Sequence, residues 1–151
     1  MITAFAAYLA LFLAAFLAAT IVPAQSEAVL VGLILAGDRS LFLLLLVATT
    51  GNVLGSVVNW LLGRFIERFR DRPWFPVSRP RLAQAEAWYR RFGIWSLLLS
   101  WVPIIGDPLT LVAGVMRERL WVFLLIVSLA KTARYAVLVG LTLGWATFVA
   151  P

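Results

Sequence analysis

With 151 residues, 63% of them hydrophobic, and a mean hydropathy of +0.97, the chain is far more apolar than the soluble norm of about one half; it reads as a single membrane domain, 1–151. Of its thirteen basic residues eight fall between Arg64 and Arg91, so the net charge of +6 marks a cytoplasmic loop rather than a nucleic-acid surface. Cysteine and histidine are absent from the sequence, which excludes disulfides, thiolate and imidazole chemistry, His- or Cys-ligated metals, Ser–His–Asp hydrolysis and rhomboid-like proteolysis.

Residues 3–22 form an uncharged apolar run. Its start, MITAFAAYL, has no basic n-region, so it is expected to remain in the membrane and not to be cleaved as a signal peptide. The stretch 23-PAQSEA-28 interrupts the run, and apolar sequence resumes over 28–36 until Gly37-Asp38-Arg39-Ser40. Nine helical residues rise about 14 Å, half a bilayer core. That arm is too short to span. The segment therefore reads as a re-entrant hairpin with Pro23, Gln25, Ser26 and Glu27 at its tip, tolerable at depth only when buried in protein or lining a wet cavity.

Residues 41–63 make a full span. Gly51 and Gly55 form a GxxxG pair suited to close helix packing, and Asn52, Ser56, Asn59 and Gly63 recur at helical spacing. The asparagines fit two roles, interhelical hydrogen bonds or the lining of a polar path. The basic segment 64–78 follows. Over 79–92 the pattern is that of an amphipathic interfacial helix, with Ser78 as cap, Gly93 as stop, Leu82, Ala85, Tyr89 and Phe92 on one face, and Glu86 four residues before Arg90.

Residues 94–106 and 109–116 are again too short to cross and read as a second re-entrant hairpin, with Pro103, Gly106, Asp107 and Pro108 at its tip. Residues 120–149 form the last span. The expected architecture is all-α and integral to the membrane. Two opposed re-entrant hairpins and two long transmembrane helices form an inverted repeat, 3–63 and 94–149, joined by the basic loop and cytoplasmic amphipathic helix of 64–93. Transporters place their sites at the midplane where such broken elements meet.

Glu27, Asp107, Lys131 and Arg134 lie in apolar context. A charge at a helix centre costs about 2.5–3.5 kcal/mol on insertion scales, so two acids and two bases point to mutual compensation. Tyr135, four residues after Lys131, reaches the same cluster. In one reading the acids exchange protons while Lys131 and Arg134 meet an anion such as a phosphate. In the other the pairs only fix how the hairpins dock.

Three stretches, 22-VPAQSEAVL-30, 51-GNVLGSVVNWLLGR-64 and 93-GIWSLLLSWVPIIGDPLTLVAG-114, carry a resemblance over nearly the whole chain. It resembles the DedA superfamily, also called SNARE-associated or VTT-domain membrane proteins, and its YqaA-like branch in particular. Pro23, Ser26, Glu27 and the Ala113-Gly114 pair match; Gln25, Ala19, Ser56, Trp60, Ser100 and Gly106 stand where typical members have Pro, Glu, Asp, Tyr, Arg and Arg. The resemblance implies a re-entrant-hairpin fold in the inner membrane and a role in moving lipids, with relatives implicated in polyprenyl phosphate recycling and phospholipid scrambling.

The expected function is flipping of an anionic lipid, coupled to protons, with Glu27 and Asp107 for ion coupling, Lys131, Arg134 and Tyr135 for headgroup contact and charge compensation, and Asn52, Ser56 and Asn59 along the path. No cofactor, metal or nucleic acid is called for, and self-association through small-residue faces is expected. The alternatives are a non-transporting scaffold or assembly factor, and a lipid-modifying enzyme. The sequence lacks the D-x-x-D acid clusters of prenyl and phosphatidyl transferases, which argues against the enzyme.

Overall fold

The computed structural model describes residues 2–20, 25–69, 71–74 and 77–149. Among them every regular element is helical: α1 (Ile2–Thr20), α2 (Gln25–Leu35), α3 (Leu41–Arg64), the single turn α4 (Ile66–Phe69), α5 (Arg79–Phe92), a 3-10 helix (Gly93–Trp101), α6 (Pro103–Val115) and α7 (Leu120–Val149). Three of these, α1, α3 and α7, are by length and composition able to cross a membrane, one more than the two long helices expected, because the first arm of the expected hairpin is itself span-length. The third is α1, whose 19 residues hold no helix breaker and rise about 28 Å.

Register gives the directions. Phe12 and Phe16 of α1 lie against Gly51 and Gly55, and Ala15 and Ala19 against Asn52 and Asn59, so α1 and α3 run parallel. A Cβ on Gly55 would stand 2.5 Å from the Phe16 carbonyl oxygen, so the glycines let the two backbones touch. α2 runs back. Its Ser26 lies at the depth of Asn52, while Leu30 and Ile34 pack with Leu44 near the start of α3. Gly37, at φ 73°, ends the return, and Ser40 caps α3.

The later helices pack on the same α3. α6 runs parallel to α3, with Thr110 beside Asn59 and Gly114 against Trp60. α7 runs antiparallel to α3: Phe123 packs on Trp60 with ring centroids 6.2 Å apart, and Tyr135 reaches Asn52. The core is two clusters, one around Trp60, Leu97, Leu111 and Phe123, the other around Leu11, Leu30, Leu44 and Tyr135.

The second break lies at Val102, not across Pro103–Pro108. Pro103 occupies the first turn of α6, where its missing N–H leaves no bond unmade. Gly106 and Pro108 sit inside the helix and do not interrupt it. Pro108 deletes one backbone bond, yet burial of Leu109, Leu111, Val112 and Ala113 holds the segment helical. Gly106 serves packing, since a Cβ there would stand 2.6 Å from the Ser100 carbonyl oxygen. Pro23 lies outside the described residues.

α5 matches its amphipathic reading at Leu82, Ala85 and Tyr89, which are buried, and departs from it at Phe92, which is 48% exposed. Glu86 and Arg90 stand 3.8 Å apart. Gly93, at φ 62°, ends the helix, but the Ser78 side chain makes no capping bond. The helix packs on α6 and the 3-10 helix, and the Tyr89 hydroxyl donates to Glu118 at 2.6 Å, tying α5 to the turn after α6.

Burial pushes the Tyr89 phenol well above its ordinary value of 10.0, and the hydrogen bond to Glu118 and the charge of Glu118 push the same way. Above pH 10 the unfolded chain sheds a proton that the folded chain keeps, so stability falls as pH rises. Melting curves of wild type and Tyr89→Phe should diverge at neutral pH by about 1.5–3 kcal/mol, the worth of a hydrogen bond to a charged group. They should converge above pH 10. A constant gap across pH 8–11.5, the range to be scanned with a step every half unit or so, would disprove the linkage.

Candidate functional site

The four charges set in apolar sequence meet on α7 as two separate pairs. Lys131 and Arg134 lie roughly 16–21 Å along that helix from its start. Lys131 Nζ donates to Asp107 Oδ1 of α6 at 3.3 Å. Arg134 Nε donates to Glu27 Oε1 of α2 at 2.8 Å, and Nη2 donates to the same oxygen. Each short helix thus delivers one acid to the long helix. Glu27 stands in the first turn of α2, where the helix dipole favours a carboxylate.

The pairs differ in access. Side-chain exposure is 35% for Glu27, 11% for Arg134, 17% for Asp107 and 1% for Lys131. Glu27 and Arg134 open onto a groove of about 260 Å³, whose other walls are Trp101 and Val102 at the second break and Val137, Leu138 and Leu141 of α7. The groove therefore lies between the first turn of α2, the break before α6 and the middle of α7, with a charged floor and apolar sides.

Tyr135 is fully buried and ties the halves together. Its hydroxyl meets Ser26 Oγ at 3.1 Å and accepts from Asn52 Nδ2 at 3.0 Å. Asn52 Nδ2 also donates to the Ala15 carbonyl at 3.2 Å. Asn59 Nδ2 donates to the Ala19 carbonyl at 2.8 Å and to Thr110 Oγ1 at 3.3 Å. Ser56 Oγ donates to the Asn52 carbonyl one turn back. Asn52, Ser56 and Asn59 are thus engaged in interhelical and local bonds and do not reach the groove; Oδ1 of both asparagines finds no protein partner among the described residues.

Ser26, Thr110, Trp101 and Val102 belong to this centre, and sequence reasoning did not assign them roles in it. Thr110 was the legible one, a hydroxyl inside an apolar run at helical spacing from Asp107. Trp101 and Val102 carry no local signal, because their place depends on where α6 begins.

A bundle of apolar helices with an acid–base centre buried between broken elements defines a multi-pass membrane protein. The VTT domain family matches residues 22–143, and the chain belongs to that family, the DedA group of membrane proteins. It is 40% identical over 134 residues to "Inner membrane protein YqaA" of Escherichia coli (strain K12), covering 87% of this chain and 88% of that one, and equally so to the protein of that name from Shigella flexneri. An "Uncharacterized protein" of Haemophilus influenzae (strain ATCC 51907 / DSM 11121 / KW20 / Rd) is 34% identical over 139 residues, covering 87% of this chain and 85% of the other. No solved structure gives a significant match. The chain is an inner-membrane protein with three helices able to span.

Proposed function

We propose that this protein moves an anionic lipid, a polyprenyl phosphate or a phospholipid, across the inner membrane by exchanging a carboxylate for a headgroup at Arg134, without covalent chemistry. The observation that carries the reading is the groove in which Glu27 and Arg134 face Trp101 and Val102. A phosphate approaching Arg134 competes with Glu27 for a guanidinium whose fork suits phosphate. Glu27, deprived of its cation in an apolar wall, takes up a proton. Departure of the lipid reverses both steps, which couples movement to protons. Val137, Leu138 and Leu141 give the acyl chains an apolar side to follow.

In this reading α1–α2 and the 3-10 helix–α6 are re-entrant hairpins entering from opposite faces, and the halves are an inverted repeat. The support is the parallel order of the halves. α2 of the first packs on α7 of the second, and α6 of the second packs on α3 of the first. A scaffold that does not transport is the alternative, favoured by the fact that both buried cations already have carboxylates.

The test is reconstitution in liposomes with a labelled polyprenyl phosphate and a labelled phospholipid, with and without a pH gradient. Wild type is compared with Glu27→Gln and Asp107→Asn, each checked for melting temperature. The expected result is movement by wild type, faster with the gradient, and at least a tenfold loss in Glu27→Gln at unchanged stability, the worth of one charge-assisted contact. Variants that lose stability and activity together would favour the scaffold; well-folded Glu27→Gln at the wild-type rate would end the exchange mechanism.

A further inference from the structure

We propose a second anion site, separate from the groove: the cavity at the basic ends of α3 and α6 binds the phosphate of an anionic lipid headgroup at the cytoplasmic surface. It does not depend on the transport reading. The cavity measures about 450 Å³ and is walled by Arg64, Arg68, Arg117, Gly63, Ile66 and Val115, with Phe65 completing it. No carboxylate is among the described side chains that line it.

The cavity is built by backbone packing. Gly63 lies against the Leu111 carbonyl and Gly114 against the Trp60 carbonyl, so α3 and α6 end side by side, and their terminal arginines converge. The Arg64 guanidinium is held 5.1 Å from the Trp60 ring centroid, which limits its rotamers before any ligand arrives. Arg39, Arg79, Arg90, Lys131 and Arg134 each meet a carboxylate, whereas Arg64, Arg68 and Arg117 meet none among the described side chains. Of the neighbouring acids whose side chains are described, Glu118 is engaged by Tyr89 and Asp71 by Arg79.

Arg117 occupies a position that ordinarily belongs to glycine. The Glu118 N–H donates to the Ala113 carbonyl and the Arg117 N–H to the Gly114 carbonyl, both at 3.0 Å, the Schellman closure of a helix. Its left-handed residue is Arg117, at φ 57° and the only non-glycine with positive φ among the described residues. Local conformation would favour glycine there, so the side chain, not the backbone, accounts for the residue.

Helix C-termini attract cations on their own, and two of them meet here. Each helix C-terminus carries roughly half a negative elementary charge, so two ends offset about one arginine of the three. With Glu67, which lies in sequence between Arg64 and Arg68, counted as well, a surplus of about one positive charge remains, and it matches the single negative charge of a lipid phosphodiester. Phe65 and Met116, 57% and 50% exposed, put apolar side chains at the same end, which selects a lipid headgroup over a soluble phosphate.

The experiment uses the full chain purified in an uncharged detergent. Dioctanoyl phosphatidylglycerol, dioctanoyl phosphatidylcholine and inorganic phosphate are titrated against its melting temperature and by native mass spectrometry. The glycerol lipid should bind at least tenfold more tightly than the choline lipid. Arg117→Gly should weaken that binding at least threefold while the melting temperature without lipid stays level or rises, because glycine relieves the left-handed backbone. Arg64→Gln with Arg68→Gln should abolish the preference, and Arg119→Gln, a basic change beside the cavity but outside its walls, should preserve it. Binding unchanged in the Arg64→Gln/Arg68→Gln double variant, equal losses in Arg119→Gln, equal affinity for the choline lipid, or inorganic phosphate that displaces the glycerol lipid at matched concentration would each overturn the assignment.

Discussion

Replacing Asp107 by alanine is expected to cost about 3–5 kcal/mol of stability, because it strands the Lys131 ammonium in the bundle without its carboxylate. Lys131→Met should cost less, about 1–3 kcal/mol. The difference follows from access: Asp107 retains 17% side-chain exposure and can recruit water when its partner goes, whereas Lys131 retains 1% and cannot. Joint replacement, Lys131→Met with Asp107→Leu, should return close to wild-type stability, since well-packed apolar pairs often equal or exceed buried ion pairs. Equilibrium unfolding in mixed micelles measures all three. Equal costs for the two single variants, or a double variant as unstable as Asp107→Ala, would show that the pair is not a coupled unit. The double variant also separates fold from function, because it removes an ionisable acid while keeping the bundle closed.

Gly63→Ala and Gly114→Ala should each lower stability by about 3 kcal/mol, the upper end for overpacking. The added methyl meets the backbone carbonyl of Leu111 or Trp60, which cannot swing aside as a side chain would. Gly140→Ala and Gly144→Ala on α7 should act oppositely, raising stability by up to about 1 kcal/mol, since a Cβ at either meets nothing within 4 Å and alanine is the better helix former. The four substitutions are chemically identical and all lie in apolar helices. Melting temperatures of the four purified variants decide the matter, and a loss at Gly140 or Gly144 matching that at Gly63 would mean a contact to α7 beyond this single chain. Such a contact would be the place to look for self-association.

Hydropathy, charge and end signals are local quantities, and the features they control were legible. The boundaries of α3, α5 and α7, the stop at Gly37, the cap at Gly93 and the basic loop need only the residues in and beside each element. So did the presence of two acids and two bases in oil, because a buried charge is costly wherever the helix lies. The break before α6 was misplaced for the same reason. Two prolines are a strong local signal, but one of them falls where a helix tolerates it and the other is outweighed by burial of the four apolar residues after it.

Which charge meets which was decided only by the tertiary structure. Lys131 and Arg134 share a face of α7 by their spacing, yet one turns to α6 and the other to α2. That division depends on the depth at which each short helix docks; for α6 the depth is fixed by backbone contacts at Gly63 and Gly114, and for α1, on which α2 packs, by those at Gly51 and Gly55. The parallel course of α1 and α3, the engagement of Asn52 and Asn59 by α1 carbonyls, and the meeting of Arg64 with Arg117 have the same origin. By itself the sequence determined a helical membrane protein with charges that must be answered. The answers came from helix register, which no single helix contains, because a partner across an interface is set by how closely two backbones approach.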